Sequence, residues 1–342
     1  MILPLVGRAI LIAGVLFPGL GATVFAQSPF QFPTANHALY LPGEELKFFA
    51  PTAPNKAWSS GSFGCVRNEG TKMHEGLDIR CLQRDRHGEP TDPVMATADG
   101  TVVYFSTKPS LSNYGKYVVI RHIIEGIEIY SLYAHLSEVQ PGLAVGTPVK
   151  AGETIATMGR TSSAETILKE RAHVHFELNL FVNEGFANWY RRAFPNQRND
   201  HSIWNGQNLD GLDAREILLT EHNPVNKFSL LNFIRGQTEL CRVLVRATNF
   251  PYLKRYPMLT LPNPVAQKEG VAGYEVVLNY NGVAFALMPR AASEIHGNSR
   301  FQLLSVNENE EQANPCRHLV VRRAGHWQLT DTGIRELELL TY

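Results

Sequence analysis

The residues with the clearest chemical potential are His173 and His175, in the segment RAHVHFEL at 171–178. Alternating apolar and polar residues indicate a β-strand, and side chains two positions apart leave the same face of a strand. Both imidazoles would therefore point into one space, with α-carbons about 6–7 Å apart. In that arrangement one histidine can bind a metal ion while the other handles protons or charge beside it.

Two upstream segments offer further ligands. The segment HEGLD at 74–78 contains His74 and Asp78, and the segment LYAHL at 132–136 contains His135. Neutral imidazole and carboxylate together suit zinc, and a catalytic zinc site has three protein ligands and an open position for water. A lone histidine in an apolar strand is more often a buried structural residue. Three such clusters, each inside hydrophobic strand sequence, favour one shared metal site.

The composition is that of a globular protein. The chain has 342 residues, 44% hydrophobic and 19% charged, which is enough for about two domains. It carries 32 basic and 32 acidic residues. No basic face indicates a nucleic-acid partner, and no acidic tail is present.

The first 26 residues have the pattern of a secretory signal peptide. Arg8 precedes an apolar run, and small residues lie before Ala26. The run is shorter than the ~20 residues that span a bilayer. We therefore expect cleavage before Gln27, no stable membrane span afterwards, and a periplasmic or secreted protein.

Export changes the interpretation of the four cysteines, because an oxidising compartment favours disulfides over metal thiolates. The candidates are Cys65, Cys81, Cys241 and Cys316. Four cysteines permit three connectivities, which sequence alone does not distinguish. Proximity favours a Cys65–Cys81 bridge, closing a loop around the HEGLD segment, and a Cys241–Cys316 bridge in the C-terminal part.

The elements predicted along the sequence indicate a mainly β protein. Residues 27–60 form an extended lead-in rich in turn-forming residues. Residues 61–220 contain short strands and glycine turns, with hairpins at Asp99-Gly100 and Glu125-Gly126 and a short helix over 163–170. This pattern indicates an antiparallel β-sheet or barrel-like domain with short helices. Residues 221–342 read as a second β-rich domain, with a hairpin at Asn281-Gly282.

From about residue 61 to residue 180 the sequence resembles the lysostaphin-like (LytM-type) zinc metallopeptidases, which cut peptide cross-links of bacterial cell walls. The resemblance is carried by six motifs in order. They are HEGLD at 74–78, ADGTVV at 98–103, YGKYVVI at 114–120, YAHLS at 133–137, VKAGETI at 149–155 and HVHFE at 173–177.

The resemblance implies roles for five residues. His74, Asp78 and His175 would bind Zn²⁺, and His135 and His173 would stand beside the attacking water. One of the latter two would accept the proton of the water. The other would support the oxyanion or protonate the departing amine, and the sequence does not assign which does which. The pattern H-E-x-x-H is absent from the sequence, so this is not the class of zinc protease whose two ligands share one helix face.

The sequence therefore predicts an exported zinc-dependent endopeptidase acting on peptidoglycan stem peptides or cross-bridges. Two alternatives remain open. One is a non-catalytic adaptor that uses the same groove to bind the wall or a partner amidase, and the other is a secreted protease with protein substrates. Some relatives have lost their ligands and activate other wall hydrolases, so the complete set of five residues favours catalysis. The sequence identifies neither a regulatory partner nor a role for the accessory domain at 221–342.

Overall fold

The computed structural model describes residues 29–164, 166–223 and 227–342. The predicted signal peptide at 1–26 lies outside these residues. Among the helices described, none has the length and apolar character needed to cross a membrane. The described part of the lead-in contains one short α-helix, α1 (Glu45–Phe48), and 3₁₀ turns at Ala38–Tyr40 and Trp58–Gly61, and it buries Phe48 and Phe49 in the core.

The part of the chain up to residue 212 is built from short strands. Their bounds are β1 Gly64–Arg67, β2 Lys72–His74, β3 Leu77–Arg80, β4 Pro93–Met95, β5 Gly100–Ser106, β6 Tyr117–Ile124, β7 Ile127–Ala134, β8 Glu138–Val139, β9 Pro148–Val149, β10 Thr154–Thr157, β11 His173–Phe181 and β12 Leu209–Leu212. The main sheet has the order β12-β11-β7-β6-β5-β9, and β3 also pairs with β11. All of these pairings are antiparallel.

Strand β11 is the centre of this sheet. It pairs with β7 along one edge, and along the other with β3 in its first half and β12 in its second half. All nine of its residues are buried. Polar side chains on this strand are therefore removed from water and need partners inside the protein.

The C-terminal part adds a second sheet of order β15-β14-β13-β16 and a two-stranded ribbon. The strands are β13 Cys241–Val245, β14 Gly273–Leu278, β15 Ala284–Arg290, β16 Phe301–Val306, β17 Val320–Arg323 and β18 His326–Leu329. The remaining helices are α2 Phe186–Ala193, α3 Ala214–His222, α4 Leu230–Arg235, α5 Pro251–Arg255, α6 Pro264–Glu269, α7 Glu308–Ala313 and α8 Asp331–Leu340. The prediction of a mainly β, antiparallel fold with short helices and a β-rich C-terminal part is confirmed.

The two β-rich parts are in close contact. One continuous cluster of buried apolar side chains includes residues of both, such as Phe176 and Leu287. The hydroxyl of Tyr256 accepts a hydrogen bond from the backbone N–H of Phe181 at the end of β11 (2.8 Å). The domain boundary at residue 220 remains a prediction, and the core is shared across it.

The predicted disulfide pairing is wrong. Cys65 is bonded to Cys316, with α-carbons 5.4 Å apart, whereas Cys81 and Cys241 are buried free thiols. Cys81 follows β3, whose partner is β11, and its side chain belongs to the hydrophobic core. Cys65 lies instead on β1, which contacts the C-terminal part. The bridge therefore joins chain segments that are 251 residues apart.

Two local predictions are also wrong, and two are confirmed. Hairpins do close at Glu125-Gly126, between β6 and β7, and at Asn281-Gly282, between β14 and β15. At Asp99-Gly100 the chain turns, but β4 pairs with β10 and β5 with β6. The described residues of the predicted helix over 163–170 contain only the start of a short 3₁₀ turn at Lys169–Arg171.

Candidate metal centre

Three chain segments bring the predicted ligand residues together. His74 ends β2, and Asp78 and His175 lie directly opposite each other in the β3–β11 pairing. His74 Nε2 lies 3.0 Å from His175 Nδ1, and each of these nitrogens lies 3.1 Å from Asp78 Oδ1. The link between β2 and β3 passes so close to β11 that a Cβ at Gly76 would lie 2.4 Å from the carbonyl oxygen of Phe176.

Hydrogen bonds on the far side of each ring fix the orientation of the two histidines. His74 donates its Nδ1–H to the carbonyl of Ser62 (2.7 Å), so its Nε2 carries the lone pair that faces the centre. His175 donates its Nε2–H to the carboxylate of Glu177 (2.7 Å), which turns its Nδ1 towards Asp78. Such outer partners hold metal-binding histidines in place and raise their basicity.

Glu177 is a hydrogen-bond partner of His175 to which the sequence analysis gave no role. Its side chain is 1% exposed and accepts hydrogen bonds from the Tyr114 hydroxyl (2.8 Å) and the Asn179 amide (3.0 Å), in addition to His175. The signal was present, because residue 177 is two positions after His175 on the same face of β11. A buried carboxylate in that position is the expected partner of a metal-binding imidazole.

His135 and His173 lie beside the three ligand residues, with their ring centroids 4.9 Å apart. His135 donates its Nδ1–H to the carbonyl of Thr161 (2.8 Å), and His173 donates its Nδ1–H to the carbonyl of Arg171 (2.5 Å). Each therefore keeps an unprotonated Nε2, which for His173 lies 3.6 Å from Asp78 Oδ1. Both nitrogens can accept a proton.

Burial controls the protonation of most of these side chains. It lowers the pKa of His74 and His173, and with the nearby His173 and His175 it lowers the pKa of His135 well below its usual value. Burial also opposes the charged form of His175, but hydrogen bonds with Asp78 and Glu177 outweigh it and raise the pKa of His175 to about 9. Without a metal, His175 therefore holds a proton between two carboxylates at neutral pH.

The aspartate is held as a carboxylate. Burial alone would raise the pKa of Asp78, but the neighbouring His173, His74 and Arg67 lower it well below its usual range. Arg67 was not identified from the sequence. Its guanidinium donates to Asp78 Oδ2, lies 2.8 Å from His74 Nε2, and extends from β1, the partner strand of β2. It leaves Asp78 Oδ1 facing the two histidines.

The chemistry of the three donor residues matches the requirements of zinc. Two imidazole nitrogens and one carboxylate oxygen form a set that zinc accepts, at bond lengths of about 2.0–2.2 Å. A tetrahedral ion with those bonds separates its ligand atoms by about 3.3–3.6 Å. The three donors here lie 3.0–3.1 Å apart, so small movements of their side chains would accommodate a zinc ion. The Arg67 guanidinium, 2.8 Å from His74 Nε2, would have to withdraw from that nitrogen. Among the described residues, no other three side chains of the types histidine, cysteine, aspartate and glutamate lie close enough together to hold a metal ion.

The five residues open onto one groove of about 460 Å³. Its described lining includes all three donor residues together with His135 and His173, and Tyr114, which bonds to Glu177. Three candidate ligands and two proton-accepting histidines therefore face the same solvent-accessible space. Histidine and aspartate side chains of this kind around one groove could bind a metal ion and transfer protons beside it.

Comparison with known proteins defines the class. The profile described as "Peptidase family M23" matches residues 72–186. The lipoprotein NlpD of Yersinia enterocolitica is 34% identical over 94 residues, which cover 28% of this chain and 84% of that protein. The chain belongs to peptidase family M23, and the resemblance drawn from the six motifs is confirmed.

Other relatives share a smaller part of their length. The murein hydrolase activator NlpD of Salmonella typhimurium is 33% identical over 130 residues, covering 37% of this chain and 29% of the relative. This chain thus spans less than a third of that relative. Among solved structures, the catalytic domain of lysostaphin from Staphylococcus simulans is 26% identical, covering 34% of this chain and 74% of that one, with a TM-score of 0.24. A zinc-containing peptidase from Vibrio cholerae is 27% identical, covering 31% and 26% of the two chains, also with a TM-score of 0.24.

Proposed function

We propose that this protein is an exported zinc-dependent endopeptidase that hydrolyses peptide cross-links of bacterial peptidoglycan. The observation that carries the proposal is the convergence of His74, Asp78 and His175 on one point, with His135 and His173 beside them in one groove. Each of the four imidazoles is anchored through the nitrogen that faces away from the centre. Such preorganisation is what catalysis requires of a site.

We propose that His74, Asp78 and His175 hold the zinc ion. Zinc in such a site polarises a carbonyl and lowers the pKa of a water molecule to about 7. The chain itself supplies the proton transfers. Because burial lowers the pKa of His135 and of His173, each is neutral near pH 7 and can accept the proton of the attacking water at Nε2.

The histidine that has taken the proton of the water can then return it to the departing amine. The second histidine would stabilise the oxyanion only in the form that carries a proton at Nε2. Arg67 and Glu177 act through the ligand residues that they contact. Arg67 keeps Asp78 ionised, and Glu177 holds the ring of His175 in the orientation that presents Nδ1. The groove excludes bulk water from these contacts, since the side chains of all three ligand residues are at most 8% exposed.

An adaptor that binds wall or a partner hydrolase is the second candidate. Its support is that several relatives are named murein hydrolase activators. The complete set of five residues in one groove supports catalysis over that alternative. We further propose that the protein acts after export, with residues 1–26 as the cleaved signal peptide.

The test uses the chain from Gln27 onwards with purified sacculi, with and without a chelator. Soluble muropeptides identified by mass should appear with the wild type, and should vanish with the chelator and with His135→Ala or His173→Ala. His326→Ala is the matched control, because His326 is exposed on β18 and should leave release unchanged. Release of muropeptides that persists with the chelator and in the two variants would refute the proposed zinc-dependent peptidase activity. Chelator-resistant stimulation of a purified amidase would establish the adaptor instead.

A further inference from the structure

The groove has an unequal distribution of charge. Among its described lining residues the charged side chains other than histidine are Arg67, Lys72, Arg171 and Asp78. Arg67 is already paired with Asp78. The remaining two, Lys72 and Arg171, are cations on the wall of a groove that offers them no free carboxylate from its described lining. Their charge is available to a ligand.

Of these two cations, Arg171 has the more fixed side chain and is linked more directly to the histidines of the site. Its Nε–H donates to the carbonyl of Pro51 (2.8 Å), which fixes the guanidinium at the groove wall. Its own carbonyl accepts the Nδ1–H of His173, so Arg171 is tied directly to one of the two proton-accepting histidines. Within the described part of the chain, no carboxylate comes within ion-pair distance (4.0 Å) of this guanidinium.

A fixed guanidinium that has no carboxylate partner among the described residues, and that lies beside a reaction centre, is suited to a planar anion. Arginine binds carboxylates through two parallel N–H···O bonds, and such charge-assisted bonds are stronger than neutral ones. Lysine at position 72 is exposed and adds a less directional positive charge on the same groove. A ligand that carried no negative charge would leave the Arg171 contact unused.

We propose that Arg171 binds a free carboxylate of the substrate next to the scissile bond, and that the substrates are therefore acidic peptides. This inference rests on the proposed peptidase function and specifies its substrate class. A neutral, carboxylate-free cross-bridge such as an oligoglycine would be a poor substrate. The carboxylate belongs either to a side chain or to a peptide C-terminus, and the experiment separates these sources.

The experiment compares four synthetic peptides of one cross-linked sequence. One has all carboxylates free, one has the C-terminus amidated, one has the side-chain carboxylate amidated, and one has both amidated. The zinc-loaded full mature chain is assayed for kcat/KM by mass spectrometry. The wild type should prefer the peptide with the relevant free carboxylate by about 10–100-fold, the range expected for a hydrogen-bonded charge pair.

Arg171→Met should reduce that preference to within about threefold, since the backbone carbonyl that anchors His173 is kept. Arg171→Lys should retain an intermediate preference, because it keeps the charge and loses the paired donors. The matched control is Arg121→Met, which removes an exposed arginine on β6 that does not line the groove, and it should keep the wild-type preference. Thermal melting of each variant checks that it is folded.

The outcomes are separable. Hydrolysis of sacculi with equal kcat/KM on all four peptides would overturn the inference and leave the proposed function standing. A preference that survives Arg171→Met but is lost in Lys72→Met would also overturn it. If no peptide and no sacculus is cut, the proposed function fails. Equilibrium binding of the four labelled peptides then decides the inference, since a carboxylate preference that depends on Arg171 supports it and equal affinities refute it.

Discussion

Replacing Glu177 by glutamine removes a buried charge while leaving a side chain of nearly the same shape. The new amide oxygen can still accept from His175 Nε2 and from the Tyr114 hydroxyl. The new NH₂ group needs an acceptor, and Asn179 supplies one, because its buried Oδ1 has no hydrogen-bond partner. A rotation of the Asn179 amide lets its Oδ1 accept from that NH₂ group and moves the Asn179 NH₂ group to the position where the oxygen had no partner. The main change in the variant is therefore the loss of the charge beside His175.

Two opposing effects set the size of the change. Loss of an outer-shell carboxylate typically weakens metal binding by about 10–100-fold, or about 1.4–2.7 kcal/mol. Against this, Glu177 helps to raise the pKa of His175 to about 9, so at pH 7 the metal must displace a proton. Displacement of the His175 proton weakens zinc binding by the wild type about 100-fold at pH 7 relative to pH 9. The variant should therefore lose about 10–100-fold at pH 9.5 and clearly less at pH 7.

The assay is competition for zinc between the protein and a chromophoric chelator at pH 7 and pH 9.5. The matched variant is Tyr114→Phe, which removes one hydrogen bond to Glu177 and keeps its charge, and it should show a smaller loss with the wild-type pH dependence. Zinc affinity of Glu177→Gln within twofold of the wild type at pH 9.5 would refute the reasoning. An equal loss at both pH values would refute the role of the His175 proton.

Three further predictions concern stability and backbone fit. The double variant Cys65→Ser, Cys316→Ser should lower the free energy of unfolding by about 2–5 kcal/mol in urea titrations, because the bridge closes a loop of 251 residues; an unchanged midpoint would contradict this. Burial raises the pKa of Glu336 to about 7, so the folded form binds more protons than the unfolded chain between about pH 4.5 and 7. Stability should therefore fall as pH rises through that window, by on the order of 3 kcal/mol, and Glu336→Gln should flatten the profile of melting temperature against pH. Gly76→Ala should lower the melting temperature and weaken zinc binding, because its Cβ would clash with the Phe176 carbonyl. A wild-type melting temperature and a wild-type zinc affinity would contradict this prediction, since they would show that the β2–β3 link can move away from β11 without loss of stability.

Local patterns were sufficient to locate the residues that now form the centre. Alternation predicted the strand of His173 and His175, and the motif order predicted which distant segments join it. The partners of these residues were harder to find. Arg67 reaches the site from a different strand, and no short pattern relates it to Asp78, 11 positions later. A contact of that kind depends on the register between strands, which the sequence of one strand does not contain.

The errors have a similar physical origin. The chain bends at Asp99, but a turn residue specifies a local conformation and not the strand that will pair beyond it. The predicted helix over 163–170 has adequate helix formers, yet its flanks are tied elsewhere. Arg160 forms two hydrogen bonds with Glu89, and the ammonium of Lys169 lies 3.2 Å from the same carboxylate. Tertiary contacts therefore overrode a weak helix propensity.

The long disulfide has a consequence for the order in which this protein matures. The chain is made from the N-terminus, so Cys65 and Cys81 emerge together while Cys316 is still to come. In an oxidising compartment the nearest thiol is then the wrong partner, and the bridge it forms would encircle the ligand segment between them. Once formed, that bridge has to be undone by thiolate exchange before the native one can form. We therefore predict that maturation of this protein depends on a disulfide isomerase, and that cells lacking one accumulate a Cys65–Cys81 species detectable by non-reducing peptide mapping.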